Sequence, residues 1–303
     1  MSWFETGKSV LQKLYFKDFS ESGIRLLVKR DDLIDPLVSG NKWRKLKYII
    51  ELAQHQRKEG LLTLGGAFSN HLLATAAACS RTGLKSIGLV RGEELTVESN
   101  ENLRRCHDLG MELLFISRDE YAERGEKERQ EIWKQHHPTY HYVPEGGACY
   151  HGLIGCQELA LELPEETDHV FVAQGTTTTS CGLLLGLGEH TQLHVVPALK
   201  GFDAKHEMRA VLYPFLTDSA LISDYLERVT VHGDCHFGGY GKVTPELKDF
   251  MLWANRELQL PLDSVYTGKA FYALVQELKQ PEYAGKTVVF IHTGGLANSQ
   301  VVF

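Results

Sequence analysis

Ser39-Gly-Asn-Lys-Trp-Arg-Lys-Leu-Lys-Tyr48 joins a turn to a helix and sets one lysine, Lys42, at the junction. Ser39, Gly40 and Asn41 are small turn residues. From Trp43 onward the apolar residues Trp43, Leu46, Ile49, Ile50 and Ala53 recur at helical spacing, which predicts an amphipathic helix ending near Gly60. Lys45, Lys47 and Glu51 fall on its opposite face. A lysine just inside a helix start is held at a fixed depth. Taken alone, Lys42 reads as a surface residue, because a free amine has a pKa of about 10.4 and is protonated at neutral pH. Burial or a covalent Schiff base changes that.

The surroundings of this helix settle the fold class. Ile24 to Lys29 reads as a strand, followed by Lys29-Arg30-Asp31-Asp32 and a loop at Pro36. After Gly60, the strand Leu61 to Leu64 breaks into Gly65-Gly-Ala-Phe-Ser-Asn-His71 and an alanine-rich helix, Leu72 to Ser80. The alternation continues with strand Ser86 to Val90, helix Ser99 to Leu109, strand Glu112 to Ile116, helix Arg118 to Gln135 and strand Tyr140 to Val143. Glu145-Gly-Gly147 then turns into a helix from Gly152 to Leu161. Strand Val170 to Ala173 leads through Gln174 to Ser180 into a helix opening at Cys181, and strand Leu193 to Leu199 follows. Ala204 to Tyr225 reads as helix broken at Pro214, Arg228 to His232 as strand, then helices Pro245 to Leu258 and Gly268 to Gln280, and a last strand Thr287 to Ile291. Helices alternating with short apolar strands imply an α/β protein with mainly parallel, twisted sheets covered by helices. No long linker or repeat interrupts it.

With 303 residues the chain is long enough for two domains at roughly 150 residues each. Its 43% hydrophobic and 23% charged residues are those of a globular protein, and a net charge of −7 offers no broad basic surface for nucleic acid. No apolar run reaches the length of a membrane span. The amino terminus, Met1 to Lys8, lacks the basic and apolar regions of a leader. Six cysteines without a C-x-x-C pair fit reduced thiols in a cytoplasm, and the histidines His136, His137 and His141 make no metal-binding spacing, so no metal is expected.

Chemistry concentrates in a few loops. Gly175-Thr176-Thr177-Thr178-Thr179 lies between a strand and a helix start, where hydroxyls, backbone N–H groups and roughly half a positive charge converge on an anion such as phosphate. A polar helix cap needs only one of those threonines. The loop is no Walker sequence, and no G-x-G-x-x-G opens the first strand–helix unit. In Ser69-Asn70-His71, an Asn amide can donate to a phenolate-type oxygen and a Ser hydroxyl can relay a proton, although such a tripeptide also caps helices. His71 reads as a supporting residue rather than a catalyst. Tyr240 and Tyr266 sit in loops able to present a phenol to a cleft or to a core. Thr293, after the last strand, has the hydroxyl to bond a ring nitrogen or to cap a helix. G-x-S-x-G is absent, so no serine triad is assigned.

A reactive lysine, a phosphate cradle, an Asn amide and a ring-nitrogen partner are the parts of a pyridoxal phosphate site. Lys29-Arg-Asp-Asp32, Gly40-Asn-Lys-Trp-Arg-Lys-Leu46, Gly65-Gly-Ala-Phe-Ser-Asn-His71, Glu145-Gly-Gly147, Tyr266-Thr-Gly-Lys269 and His292-Thr-Gly-Gly295 occur in one order along nearly the whole chain. In this the chain resembles the 1-aminocyclopropane-1-carboxylate deaminases and D-cysteine desulfhydrases, of the tryptophan synthase β-like class, fold type II. The resemblance implies a larger domain of residues 1–44 and 150–303, a smaller one of 45–149, a homodimer, and a small amino acid as substrate. It implies that Lys42 carries the Schiff base, Asn70 faces the phenolic oxygen, Gly175, Thr176, Thr177, Thr178 and Thr179 hold the phosphate, and Thr293 meets the pyridine nitrogen. Lys42, Ser69, Tyr240 and Tyr266 stand at catalytic positions, and Ser69, Asn70, His71 and Thr267 at substrate positions.

Two departures stand out. Relatives have a glycine-richer phosphate loop than Thr177 and Thr178 allow. Cyclopropane deaminases resemble one another in a Glu after the loop tyrosine and an apolar residue where Thr293 stands; Thr267 and Thr293 here resemble the desulfhydrase side. A neutral threonine cannot hold the ring nitrogen protonated, and eliminating a good β leaving group needs less of an electron sink. The expectation is β-elimination from a D-amino acid such as D-cysteine, with Lys42 or a Ser69 relay as base. Cyclopropane ring opening and a non-catalytic pyridoxal phosphate binding protein are the alternatives.

Overall fold

A computed structural model describes residues 7–15 and 22–298 of the chain. Of Met1 to Lys8, where no leader is expected, only Gly7 and Lys8 are among them; the rest lies outside the described residues. In chain order the strands are β1 Leu11–Lys13, β2 Arg25–Lys29, β3 Gly60–Gly65, β4 Lys85–Arg91, β5 Met111–Ile116, β6 Tyr140–Tyr142, β7 His169–Gln174, β8 Gln192–Pro197, β9 Val229–Val231 and β10 Thr287–Ile291. The α-helices are α1 Asn41–His55, α2 Asn70–Thr82, α3 Glu101–Asp108, α4 Arg118–Ala122, α5 Lys127–His136, α6 Tyr150–Leu161, α7 Thr178–Gly186, α8 Ala204–Leu216, α9 Ser219–Glu227, α10 Pro245–Leu258 and α11 Thr267–Glu277. They form two compact units. Lys42–Gly155 makes the smaller, and the described residues up to Asn41 and from Cys156 onward make the larger.

The smaller unit carries a parallel sheet in the order β5-β4-β3-β6. Its central strand reads Gly-Leu-Leu-Thr-Leu-Gly and is buried along its whole length, as a parallel strand covered on both faces must be. Leu62, Leu64, Ile87, Leu89, Tyr121 and Trp133 form one of its cores. Trp43, Leu46, Ile49, Ile50 and Ala53 of α1 are all buried, each large side chain contributing about 1.5–3 kcal/mol of transfer free energy. Helix α2 follows β3 directly, starting on the Ser69 cap and stopping at Gly83, whose φ of 74° ends the helix in the left-handed region.

The larger unit has the sheet order β1-β2-β10-β7-β8-β9, parallel except for the edge pair β1–β2. Its core gathers Phe171, Phe271 and Phe290 with aliphatic residues of α10 and α11. Phe271 and Phe290 meet at 5.0 Å between ring centroids.

Several boundaries differ from the sequence expectation. Helix α1 begins at Asn41, so Lys42 lies in its first turn, and it ends at His55 rather than near Gly60. The charge-rich helix expected from Arg118 to Gln135 is α4 and α5, separated by a 3-10 turn at Glu123–Gly125. Helix α7 begins at Thr178 instead of Cys181. Pro214 lies inside α8, and the break comes at Thr217, with φ of 52°, after which Asp218 caps α9 through the N–H groups of Ala220 and Leu221.

Candidate active site

In the smaller unit the expected residues cluster at two helix starts. Lys42 is half-buried in the first turn of α1. Its entry is fixed by the preceding turn: Gly40 has φ of +61°, and a Cβ there would lie 1.9 Å from the Thr293 carbonyl oxygen. Only glycine fits. Asn41 N–H donates to that same carbonyl at 3.3 Å.

Ser69 caps α2, its Oγ accepting from the N–H groups of His71 at 3.2 Å and Leu72 at 3.3 Å. Both N–H groups are among those a helix start leaves without intrahelical partners. Asn70 opens the helix and is half-buried. The His71 side chain turns into the core: Thr63 Oγ1 donates to Val143 O at 2.9 Å, so it accepts from His71 Nε2 at 2.9 Å. His71 is therefore the Nε2–H tautomer, and burial together with the positive charge of Lys42 and Lys45 keeps its pKa well below the usual histidine value. The neutral ring braces the loop from beneath. Lys45, one turn after Lys42, is buried and donates from Nζ to Gly146 O at 3.1 Å, tying α1 to the Glu145-Gly-Gly147 turn.

The larger unit gathers a second group around the end of β7. Gly175 and Thr176 leave the strand, and Thr177 adopts φ of 65° before α7 begins. No side chain caps that helix, and Thr178 N–H is bonded back to Thr176 O at 2.7 Å, so the next N–H groups of the turn are those left for an anion. Thr178 donates from its hydroxyl to Thr176 O at 3.2 Å. Thr179 Oγ1 accepts from Asn41 Nδ2 at 2.9 Å, which leaves its own hydrogen to donate. Gly175 lies against Tyr266: a Cβ on Gly175 would be 3.0 Å from the phenol ring. Tyr240 stands edge-on to Tyr266 at 6.1 Å and is more than half exposed. Thr293 is buried beside Gly40.

Sequence reasoning missed what holds these residues. Asp263 accepts from the N–H groups of Val265 at 2.9 Å, Tyr266 at 3.0 Å and Thr267 at 2.7 Å, and from the Thr267 hydroxyl at 2.7 Å. One carboxylate thus sets the turn that aims Tyr266, and it spends the hydrogen of the fully buried Thr267 hydroxyl. Lys269 donates from Nζ to Gly239 O at 2.7 Å and anchors the glycine-rich loop bearing Tyr240; burial lowers its pKa to about 8. An aspartate three residues before a loop tyrosine is the signal that a turn reading had available.

These residues suit pyridoxal phosphate. An uncapped helix start after a parallel strand, with an available threonine hydroxyl, accepts a phosphate dianion. A lysine in the first turn of a helix is the kind of amine that its aldehyde couples to.

Residues 7–294 match the family model described as pyridoxal-phosphate dependent enzyme. The chain is 31% identical over 288 residues to a Pyrococcus horikoshii protein that carries the provisional name 1-aminocyclopropane-1-carboxylate deaminase, covering 92% of this chain and 87% of that one. It is 30% identical over 298 residues to the Arabidopsis thaliana mitochondrial bifunctional D-cysteine desulfhydrase/1-aminocyclopropane-1-carboxylate deaminase, covering 91% of this chain and 73% of the plant protein. A crystal structure described as an ACC deaminase homologue superposes with a TM-score of 0.75 at 27% identity, over 96% of this chain and 90% of that one.

Proposed function

The chain belongs to the family of pyridoxal-phosphate dependent enzymes, and from that membership we propose that its reaction is β-elimination on a small D-amino acid such as D-cysteine, releasing sulfide, pyruvate and ammonia. It is an enzyme of the 1-aminocyclopropane-1-carboxylate deaminase and D-cysteine desulfhydrase type, with the fold type II architecture. The finer reading is carried by Thr267 and Thr293, two neutral residues where the cyclopropane deaminases that the chain resembles have an acid and an apolar side chain. The Thr267 hydroxyl is already donated to Asp263.

Pyridoxal phosphate, when bound, supplies an aldehyde that couples to an amine and a ring that withdraws electrons from the substrate α-carbon. Lys42 would hold it through the side-chain amine, Asn70 would face its phenolic oxygen, Gly175 to Thr179 would hold its phosphate and Thr293 would meet its ring nitrogen. Lys42, as the base, would take the substrate α-proton on Nζ. Ser69 is the poorer base, because two N–H bonds already occupy its Oγ and leave a hydrogen to donate. The Cβ–S bond breaks with its electron pair on sulfur, and the released enamine adds water to give pyruvate and ammonia. Tyr266 and Tyr240 line the approach to the substrate, while His71 and Thr267 support the loops that contact it. We place the protein in a cytoplasm, which six cysteines that are all free thiols suit, and, from the family resemblance, as a homodimer.

The name of the Arabidopsis relative covers both reactions, which keeps cyclopropane ring opening as the second reading. The test is one cuvette: the absorbance of the purified protein, then D-cysteine, then 1-aminocyclopropane-1-carboxylate. A Schiff-base band that shifts, with pyruvate formed from D-cysteine alone, supports the proposal; 2-oxobutanoate from the cyclopropane overturns it in favour of the second reading. A Lys42→Ala protein that kept turnover and the band would refute the lysine assignment.

A further inference from the structure

The loop that carries Ser69 is gripped by a side chain the chemistry above does not use. Asn102, the second residue of α3, is buried. Its Nδ2 donates to Ala67 O at 3.0 Å and to Ser69 O at 3.4 Å. The two hydrogens of one amide thereby bracket Phe68, which is itself exposed. The helix beneath is fixed in turn: Asn100 caps it by accepting from Leu103 N–H at 2.9 Å, and Leu103 and Cys106 are buried. A rigid base thus holds two carbonyls of an otherwise projecting loop.

Ser69 is constrained from two other sides. Its Oγ receives the N–H groups of His71 and Leu72. A Cβ on Gly65 would come within 2.6 Å of that Oγ, so the strand end is bare to let the serine lie on it. With both lone-pair directions occupied, the hydroxyl has only its hydrogen to present. Side chains fixed by packing and by a supporting layer of hydrogen bonds are what a pre-organised site requires.

We propose that Asn102 is a positioning residue: its amide clamps the Ala67 and Ser69 carbonyls so that the Ser69 hydroxyl meets the amino-acid substrate as a fixed hydrogen-bond donor. This rests on the reading of Ser69 as a substrate-contacting residue. The carbonyl oxygens can only accept, so the clamp needs a donor at position 102, and an isosteric acceptor reverses it.

Asn102→Asp tests that requirement in the holoenzyme. The expected loss in kcat/KM for D-cysteine is about tenfold to a hundredfold, the scale of a displaced catalytic contact, with the cofactor absorbance retained. The defect shrinks as pH falls, because a protonated aspartic acid regains one O–H donor. In a Ser69→Ala background the same substitution costs less than about threefold, since the contact it positions is already gone. Asn102→Ala, which removes the donor without adding charge, replaces Asn102→Asp should the latter not fold. Equal losses in both backgrounds, or no loss in either, overturn the proposal. If the wild-type protein does not turn over D-cysteine, the reaction assigned above fails, and the clamp is read instead by amide hydrogen exchange at His71 and Leu72. Faster exchange in Asn102→Asp upholds it, and unchanged exchange overturns it.

Discussion

Acidification should destabilise the larger unit through three histidines that share one hydrogen-bonded chain. His169 Nδ1 and His194 Nε2 are 3.1 Å apart, His194 Nδ1 and His232 Nε2 are 3.0 Å apart, and His232 Nδ1 lies 3.5 Å from Glu277 Oε1. An ionised Glu277 only accepts, so the tautomers all run one way: His169 donates to His194, His194 to His232, His232 toward the carboxylate. Phe171 stacks on His194 at 4.1 Å and 8°. Burial lowers all three pKa values, most for His194, which falls to about 3 with His232 and His169 adding repulsion. Asp168, Lys286 and Glu282 face His169, and Tyr283 donates to Glu277 at 3.3 Å. Unfolded histidine titrates near pH 6.5, so the unfolded chain takes protons first. Stability is therefore complete above about pH 6.5 and lost as pH falls toward 3, at about 1.4 kcal/mol per pH unit for His194. At pH 4.5 this one ring costs about 2.7 kcal/mol, a large share of the roughly 5–15 kcal/mol that domains possess. Urea unfolding of wild type and His194→Phe at half-unit steps from pH 7.5 to 4.5 reads the difference. The variant starts lower, by about 1–3 kcal/mol for two orphaned ring nitrogens, but its slope is shallower by about 1.4 kcal/mol per unit. Equal slopes would refute the claim that the fold keeps His194 neutral.

Three substitutions probe the turns. Gly40→Ala puts a Cβ 1.9 Å from the Thr293 carbonyl oxygen in a left-handed residue. Its cost should exceed the roughly 1–2 kcal/mol of conformational strain alone, seen as a lowered melting temperature and a weakened Schiff-base band. Thr177→Gly relieves a β-branched residue at φ of 65°; the roughly 1–2 kcal/mol recovered exceeds the about 0.5–1 kcal/mol of glycine entropy, so the melting temperature of the cofactor-free protein should rise. Asp263→Asn turns an amide N–H₂ toward backbone donors, and with four hydrogen bonds converging on the carboxylate the loss should reach at least about 3 kcal/mol in urea unfolding, together with a lower kcat from a displaced Tyr266.

The strand and helix alternation was readable because each buried parallel strand is a short apolar run flanked by glycine or charge, and that pattern is local. Its failures were equally physical. Leu11–Lys13 pairs with β2 at a sheet edge, yet Leu-Gln-Lys carries no alternation, so only its partner defines it as a strand. Polar helix starts hid in the same way: periodicity begins at Trp43 and Cys181, whereas the backbone turns helical at Asn41 and Thr178. The break expected at Pro214 is not there: Pro214 falls near the end of α8, and the helix stops where Thr217 and the Asp218 cap supply the geometry of a stop.

For the site, composition and order named the reactive groups but not their supports. Asn102 reaches Ala67 and Ser69 across more than thirty residues, and His194 joins His232 across 38; no spacing rule encodes such contacts. Thr177 shows how the two levels join. The family resemblance marks it as a departure from a glycine-richer loop, and the backbone shows why glycine belongs there: the residue sits at φ of 65°, where a β-branched side chain is strained. If that strain is retained for function, Thr177→Gly should gain stability and lose cofactor affinity together. If both rise, the threonine has no role in holding the phosphate, and the anion is held by the α7 N–H groups and Thr179.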